Sequence, residues 1–166
     1  MLKRATMQAR VSIAEQAAKD IEAWLRSKKI SIEVLNVEND EKYQAADVDL
    51  LWKTTLGDKT IEIKGDTYHR TGNFFLETHS NKERNTPGCF MYTEADFVYY
   101  YFVLIKKLYI LPMPKTRLWF MEHLDQFSEK ATQTIVGNGA HYTTVGRLVP
   151  IETLVRNVEG VKAYQL

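Results

Sequence analysis

Two strand-like runs, Asp47-Val-Asp-Leu-Leu-Trp-Lys53 and Thr60-Ile-Glu-Ile-Lys64, stand on either side of a short polar segment. Successive side chains of a strand point to opposite faces, so Glu62 and Lys64 share one face and Ile61 and Ile63 the other. The same rule sets Asp47 and Asp49 together, opposite Val48 and Leu50. The intervening Thr54-Thr-Leu-Gly-Asp-Lys59 carries a Gly-Asp pair, which favours a reversal of direction. A hairpin there brings Asp49 close to Glu62 and Lys64. Two carboxylates and an ammonium on one surface can hold a divalent metal and a water beside a phosphate. The alternative is an amphipathic surface hairpin with a weak Glu62–lysine salt bridge. The other acid-x-lysine triplet, Asp40-Glu-Lys42, lies in a polar stretch without β pattern and is set aside.

The rest of the chain reads as α/β. Residues 5–28 predict an amphipathic helix, with Met7, Ala14, Ala18, Ile21 and Leu25 inward. Residues 30–37 alternate as a strand with Ile32 and Val34 on one face, and 38–46 read as a loop. Asn73–His79 is a further strand, 81–88 a charged loop, and Thr93-Glu-Ala-Asp96 a helix start. Val98–Ile105 is apolar and aromatic; Tyr99–Phe102 suits a central buried strand better than a base-stacking surface. Beyond it come a strand at 108–111 and a helix at 117–129 with Leu118, Met121 and Leu124 inward. A Gly- and Asn-rich loop at 134–142, a strand at 143–149 and a short helix from Pro150 to Arg156 complete the chain.

Asp49 and Glu62-Ile63-Lys64, in this strand context, resemble the PD-(D/E)xK (restriction endonuclease-like) nuclease superfamily. The resemblance covers about residues 10 to 105. It implies an αβββαβ core, a central mixed β-sheet flanked by helices. The chain departs from the pattern in having Ala46 before Asp47 where many members have proline before the aspartate. That leaves Asp47 as an alternative to Asp49, and Asp49-Leu-Leu better matches the acidic-then-apolar ending of the superfamily. The resemblance implies Mg2+, with Mn2+ as a substitute, held by Asp49, Glu62 and the Ile63 carbonyl. Lys64 would position the attacking water and neutralise developing charge. A first-helix glutamate serves many members as an outer ligand, and Glu15 is the candidate here with Glu22 the runner-up. The expected partner is DNA, duplex or branched, cut to 5′-phosphate and 3′-hydroxyl ends, with a homodimer coordinating two cuts. A catalytically inactive DNA-binding or assembly module of the same fold is the alternative, and a plain α/β interaction protein a third reading.

A chain of 166 residues fits a single domain spanning 1–166, with 45% apolar and 26% charged residues. The formal charge of +1 argues against a protein that coats nucleic acid by charge alone. Local cations remain candidates for phosphate contacts, namely His69 and Arg70 after the second run, and Lys82 and Arg84 in the charged loop. Glu77 and His79 border the same region. One cysteine, Cys89, excludes an intrachain disulfide, and a buried inert thiol is expected. The four histidines lack metal-ligand spacing, and neither a phosphate-binding glycine loop nor a Gly-x-Ser-x-Gly elbow occurs. Met1-Leu-Lys-Arg-Ala5 is not followed by an apolar run, and Phe97–Ile105 is too short to span a bilayer. A cytoplasmic protein is expected.

Overall fold

Leu50 lies opposite Ile61 and Trp52 opposite Lys59, so the two alternating runs form the antiparallel hairpin that their pattern requires. The structure, a computed structural model, describes residues 3–166; Met1 and Leu2 of the N-terminal reading lie outside the described residues. The hairpin strands are β3 (Leu50–Thr54) and β4 (Lys59–Asp66) of the chain order that follows. Gly57 closes the turn at φ 108, a backbone region open to glycine without steric cost. The Thr54 hydroxyl locks it by donating to the Gly57 carbonyl and accepting from the Leu56 N–H.

The chain begins with β1 (Lys3–Thr6), α1 (Met7–Arg26), β2 (Ser31–Asn36) and the short α2 (Glu41–Gln44), then enters the hairpin. It continues through β5 (Asn73–Asn81), β6 (Thr86–Pro87), α3 (Cys89–Tyr92), β7 (Phe97–Phe102) and β8 (Lys107–Pro112). Last come α4 (Lys115–Glu122), β9 (Ser128–Ile135), β10 (His141–Pro150), α5 (Ile151–Asn157) and β11 (Lys162–Gln165). A six-stranded sheet has the order β11-β8-β7-β4-β3-β2, and a five-stranded sheet the order β1-β9-β10-β5-β6. The larger sheet is mixed, because β4 and β7 run parallel while its other pairs are antiparallel.

One face of this sheet is covered by α1. Ala17, Ile21 and Leu25 bury against Ile61, Tyr99, Tyr101 and Leu108. Each large apolar side chain so buried contributes about 1.5–3 kcal/mol. Gly65 lets the helix approach β4, since a Cβ there would meet Ala17 and Ile13 at 3.1 Å. Thr6 caps the helix by accepting the Ala9 N–H. The inward stripe uses Ala17 instead of Ala14, which is exposed.

On the opposite face, Val98, Tyr100, Phe102 and Leu111 meet Phe74 and Leu76 of β5, together with Phe90, Phe120 and Leu154 from α3, α4 and α5. A second sheet therefore shares with helices the face that the expected helix-flanked sheet would give to helices alone. The buried Tyr100 hydroxyl donates to Asp66 and accepts the Phe75 N–H, so its polarity is satisfied across the layers. The segment between β4 and β7 contains β5, β6 and the single-turn α3 (Cys89–Tyr92), so the short helix expected from Thr93 lies just before that residue. The observed architecture is thus α/β with a mixed central sheet and flanking helices.

Several local expectations are corrected. Residues 38–46 contain α2, capped by the Asp40 carboxylate accepting the Lys42 N–H. Thr93-Glu-Ala-Asp96 starts no helix; Thr93 ends α3 and its hydroxyl accepts the Ala95 N–H. Helix α4 is shorter than 117–129 and buries Thr116 and Phe120, leaving Leu118 61% exposed and Met121 45%. Ile32 is exposed where Val34 is buried, beside a register shift between Ser31 and Glu33. Residues 134–142 hold the ends of β9 and β10, whose backbone groups pair with each other despite polar side chains. No helix among the described residues is long and apolar enough to cross a membrane.

Candidate metal centre

Asp47, Asp49, Glu62 and Lys64 come to one end of the β3–β4 hairpin because the ladder stops there. The last β3–β4 pair is Leu50 with Ile61, so beyond it the edge of β4 is free to bond side chains. Asp49 takes that place: its N–H donates to the Ile61 carbonyl at 2.9 Å, and its carboxylate accepts the Ile63 N–H at 2.7 Å. A strand residue's N–H and C=O leave on the same edge, so the Ile63 carbonyl lies on the Asp49 side. The Asp49 and Glu62 carboxyls lie close enough to interact, so a proton on Glu62 favours charge on Asp49.

Asp47 precedes the strand at φ 53, a left-handed conformation held from α3. The Thr93 hydroxyl donates to its carbonyl at 2.7 Å, and the Tyr92 hydroxyl to its carboxylate at 3.1 Å. Its second oxygen, Oδ2, is buried without a hydrogen-bond partner. One ligand atom from each of Asp47, Glu62 and Cys89 lies within 4.8 Å of the others. The cluster takes in Asp47, the alternative, and leaves out Asp49, the preferred candidate, which neighbours it through Glu62.

Lys64 lies on the same face as Glu62 and forms an ion pair with Glu77 of β5. Glu77 is 8% exposed and backs onto Gly88, where a Cβ would fall 2.5 Å from the Glu77 carbonyl oxygen. Only glycine admits α3 so close to β5, and that approach carries Cys89 and Tyr92 to the acids. Arg10 adds positive charge near Lys64 and donates to Thr132 at 3.0 Å.

Electrostatics follow from crowding carboxylates out of water. Burial pushes Asp49 up to about 6, against the hydrogen bond from Ile63 and the proton on Glu62. Burial, then the charges of Asp49 and Asp47, raise Glu62 well above the carboxylate range. Asp47 is raised chiefly by burial, and Cys89 by burial and the Glu77 charge. Burial opposes charge on Lys64, but Glu77 outweighs it and the ammonium ends above its ordinary value. A cluster whose acids resist ionisation is one that a cation would relieve. Of the three clustered residues, Asp47 and Glu62 offer the hard oxygens that Mg2+ or Mn2+ take, with Asp47 Oδ2 unpaired, whereas Cys89 offers a soft sulfur that suits neither.

The remaining predicted residues divide. Glu15 is exposed on α1, the helix that covers the opposite face, and Glu22 pairs with Arg26 at 3.0 Å. His69 and Arg70 form a 3-10 turn beyond Asp66, past the end of β4 away from the hairpin turn. Lys82 and Arg84 are exposed at the tip of the β5–β6 hairpin, whose feet at Glu77 and Gly88 border the acids. His79 contacts its neighbour Thr78 at 3.2 Å. Tyr99–Phe102 is buried as a central strand. Sequence reasoning missed Cys89 and Tyr92 as neighbours of the acids and gave Glu77 too small a part. Gly88 in a charged loop was the one available hint of close packing. No protein-family profile, curated protein or solved structure matches this chain.

Proposed function

We propose that the chain is a metal-dependent endodeoxyribonuclease with a restriction endonuclease-like core, acting on duplex or branched DNA. The observations behind this reading are the Asp49 carboxylate bonded to the Ile63 N–H next to Glu62, the cluster of Asp47 and Glu62 with Cys89, and Lys64 on the Glu62 face of β4. Asp49 and Glu62 would hold Mg2+ or Mn2+, with Asp47 and the Ile63 carbonyl as further donors. When bound, the cation supplies an acidified water and charge neutralisation at the scissile phosphate. The Ile63 N–H fixes the Asp49 carboxylate beforehand, so no reorganisation is needed at that ligand. Lys64, held beside the acids, offsets negative charge developing on the phosphate oxygens. Lys82 and Arg84 extend a cationic arm to the backbone of the same strand. Products would carry 5′-phosphate and 3′-hydroxyl ends.

The test uses the purified chain with plasmid, single-stranded, flap and four-way-junction DNA in Mg2+ or Mn2+, beside Lys64→Ala and Asp49→Ala. Chelator-sensitive cleavage that disappears in both variants is the expected result. DNA binding without cutting in either cation would replace the enzyme by a binding module of the same fold. Neither binding nor cutting would remove both.

A further inference from the structure

Glu77 comes from the second sheet, yet its carboxylate meets Lys64 of the first. It reaches that position through an irregular stretch of β5: the ladder to β10 shifts register between Val145 and Gly146, and the adjacent residues Leu76 and Glu77 are both buried. Bulges of this kind re-aim a side chain beside a site. Gly88 closes the other side, with no room for a Cβ against Glu77. The ammonium of a lysine sits on a flexible four-carbon stem, and an anchor at its tip removes that freedom. Glu77 is not among the three residues whose ligand atoms cluster, Asp47, Glu62 and Cys89.

We propose that Glu77 is a positioning residue for Lys64, holding the ammonium beside the acidic cluster without itself touching cation or DNA. The proposal rests on the nuclease reading and assigns to one buried ion pair between sheets the aim of the residue that faces the phosphate. Glu77→Gln then keeps shape and hydrogen bonding while removing the charge, and Glu77→Asp keeps the charge one methylene shorter.

The experiment compares wild type, both variants and Lys64→Ala in steady-state cleavage, with Mn2+ affinity by calorimetry, DNA affinity in Ca2+, and NMR of side-chain ammonium groups. Glu77→Gln should lower kcat by about tenfold or more. KM, Mn2+ affinity and DNA affinity should stay within about twofold of wild type. The Lys64 ammonium resonance, slowed in exchange by its ion pair, should be lost in Glu77→Gln and kept in Glu77→Asp, which also recovers part of kcat. An unchanged kcat overturns the proposal, and so does a loss of cation affinity equal to the loss of rate, which would make Glu77 a ligand. Should Glu77→Gln fail to fold, Glu77→Asp decides: kcat reduced with KM held supports the assignment, and an unchanged kcat overturns it. A wild-type chain that cuts no DNA removes the nuclease reading and this proposal together, whereas a cutting wild type with an unimpaired Glu77→Gln removes the proposal alone.

Discussion

The carboxylate of Asp49 accepts the backbone N–H of Ile63 at 2.7 Å, fastening a side chain to β4 where β3 has ceased to pair with it. The bond places Asp49 beside Glu62 and turns the Ile63 carbonyl toward the same edge. Four expectations follow from this arrangement and its surroundings.

Cation binding should displace protons. Burial holds Asp49 at about 6 and Glu62 higher still, and only the ionised carboxylates bind a divalent metal. Mn2+ affinity should therefore rise with pH and be at least about fourfold weaker at pH 5.5 than at 7.5, with proton release. Calorimetry in buffers of different ionisation enthalpy measures both. A pH-independent affinity would place the metal elsewhere.

The metal-free protein should lose stability as pH rises. Below the unfolded Asp49 value of 3.8 the carboxyl is neutral in both states and imposes no cost. Between 3.8 and about 6 the unfolded chain ionises first, so stability falls through that window and stays lowered above it. Glu62, raised in the same direction, extends the loss upward. Glu62→Gln should thus raise the apo melting temperature at pH 8 by a few degrees, on the order of 1–2 kcal/mol, while ending cleavage. Thermal melts with chelator, at pH 4 and pH 8, read the effect.

Gly88→Ala should damage the site from behind. Its Cβ would sit 2.5 Å from the Glu77 carbonyl oxygen, and backbone cannot yield as a side-chain tip can. A loss of about 1–3 kcal/mol is expected, with impaired cleavage. Gly137→Ala, where nothing lies within 4 Å, should stay within about 0.5 kcal/mol of wild type. Urea titrations of the two variants, run side by side, make the comparison.

The β5–β6 hairpin should act on DNA affinity and not on chemistry. Glu83 is tied down by the Thr143 hydroxyl and N–H, which hold its carboxyl down at about 2, and this pins the arm while Lys82 and Arg84 stay exposed. Alanine at each should weaken binding evenly across sequences and reduce the salt slope by about one. Arg70→Ala, beyond the far end of β4, should change it less. Fluorescence anisotropy in Ca2+ over a salt series distinguishes them.

The hairpin, the shared face of Glu62 and Lys64, the inward Ile61 and the buried run at Tyr99–Phe102 were legible in the sequence. The first three rest on a period of two, which a strand expresses without help from distant residues, and the last on an unbroken apolar run buried on both faces. Reading failed where an element owes its state to partners far along the chain. Thr134 and Ile135 fall in the Gly- and Asn-rich stretch 134–142 that reads as a loop, yet β1 and β10 pair with them from both sides. Leu118 and Met121 look inward by spacing, but the short α4 is seated by Phe120, which packs on Phe90 and Phe127.

By itself, then, the order of residues settled which side chains of the hairpin stand together, because strand alternation is a local property of the backbone. Tertiary structure alone decided what faces them. Glu77 of one sheet meets Lys64 of the other beside a register shift between β5 and β10, and Cys89 and Tyr92 reach the acids only because Gly88 lets α3 lie against β5. Those encounters depend on packing distances between layers, which no periodicity along a single segment encodes.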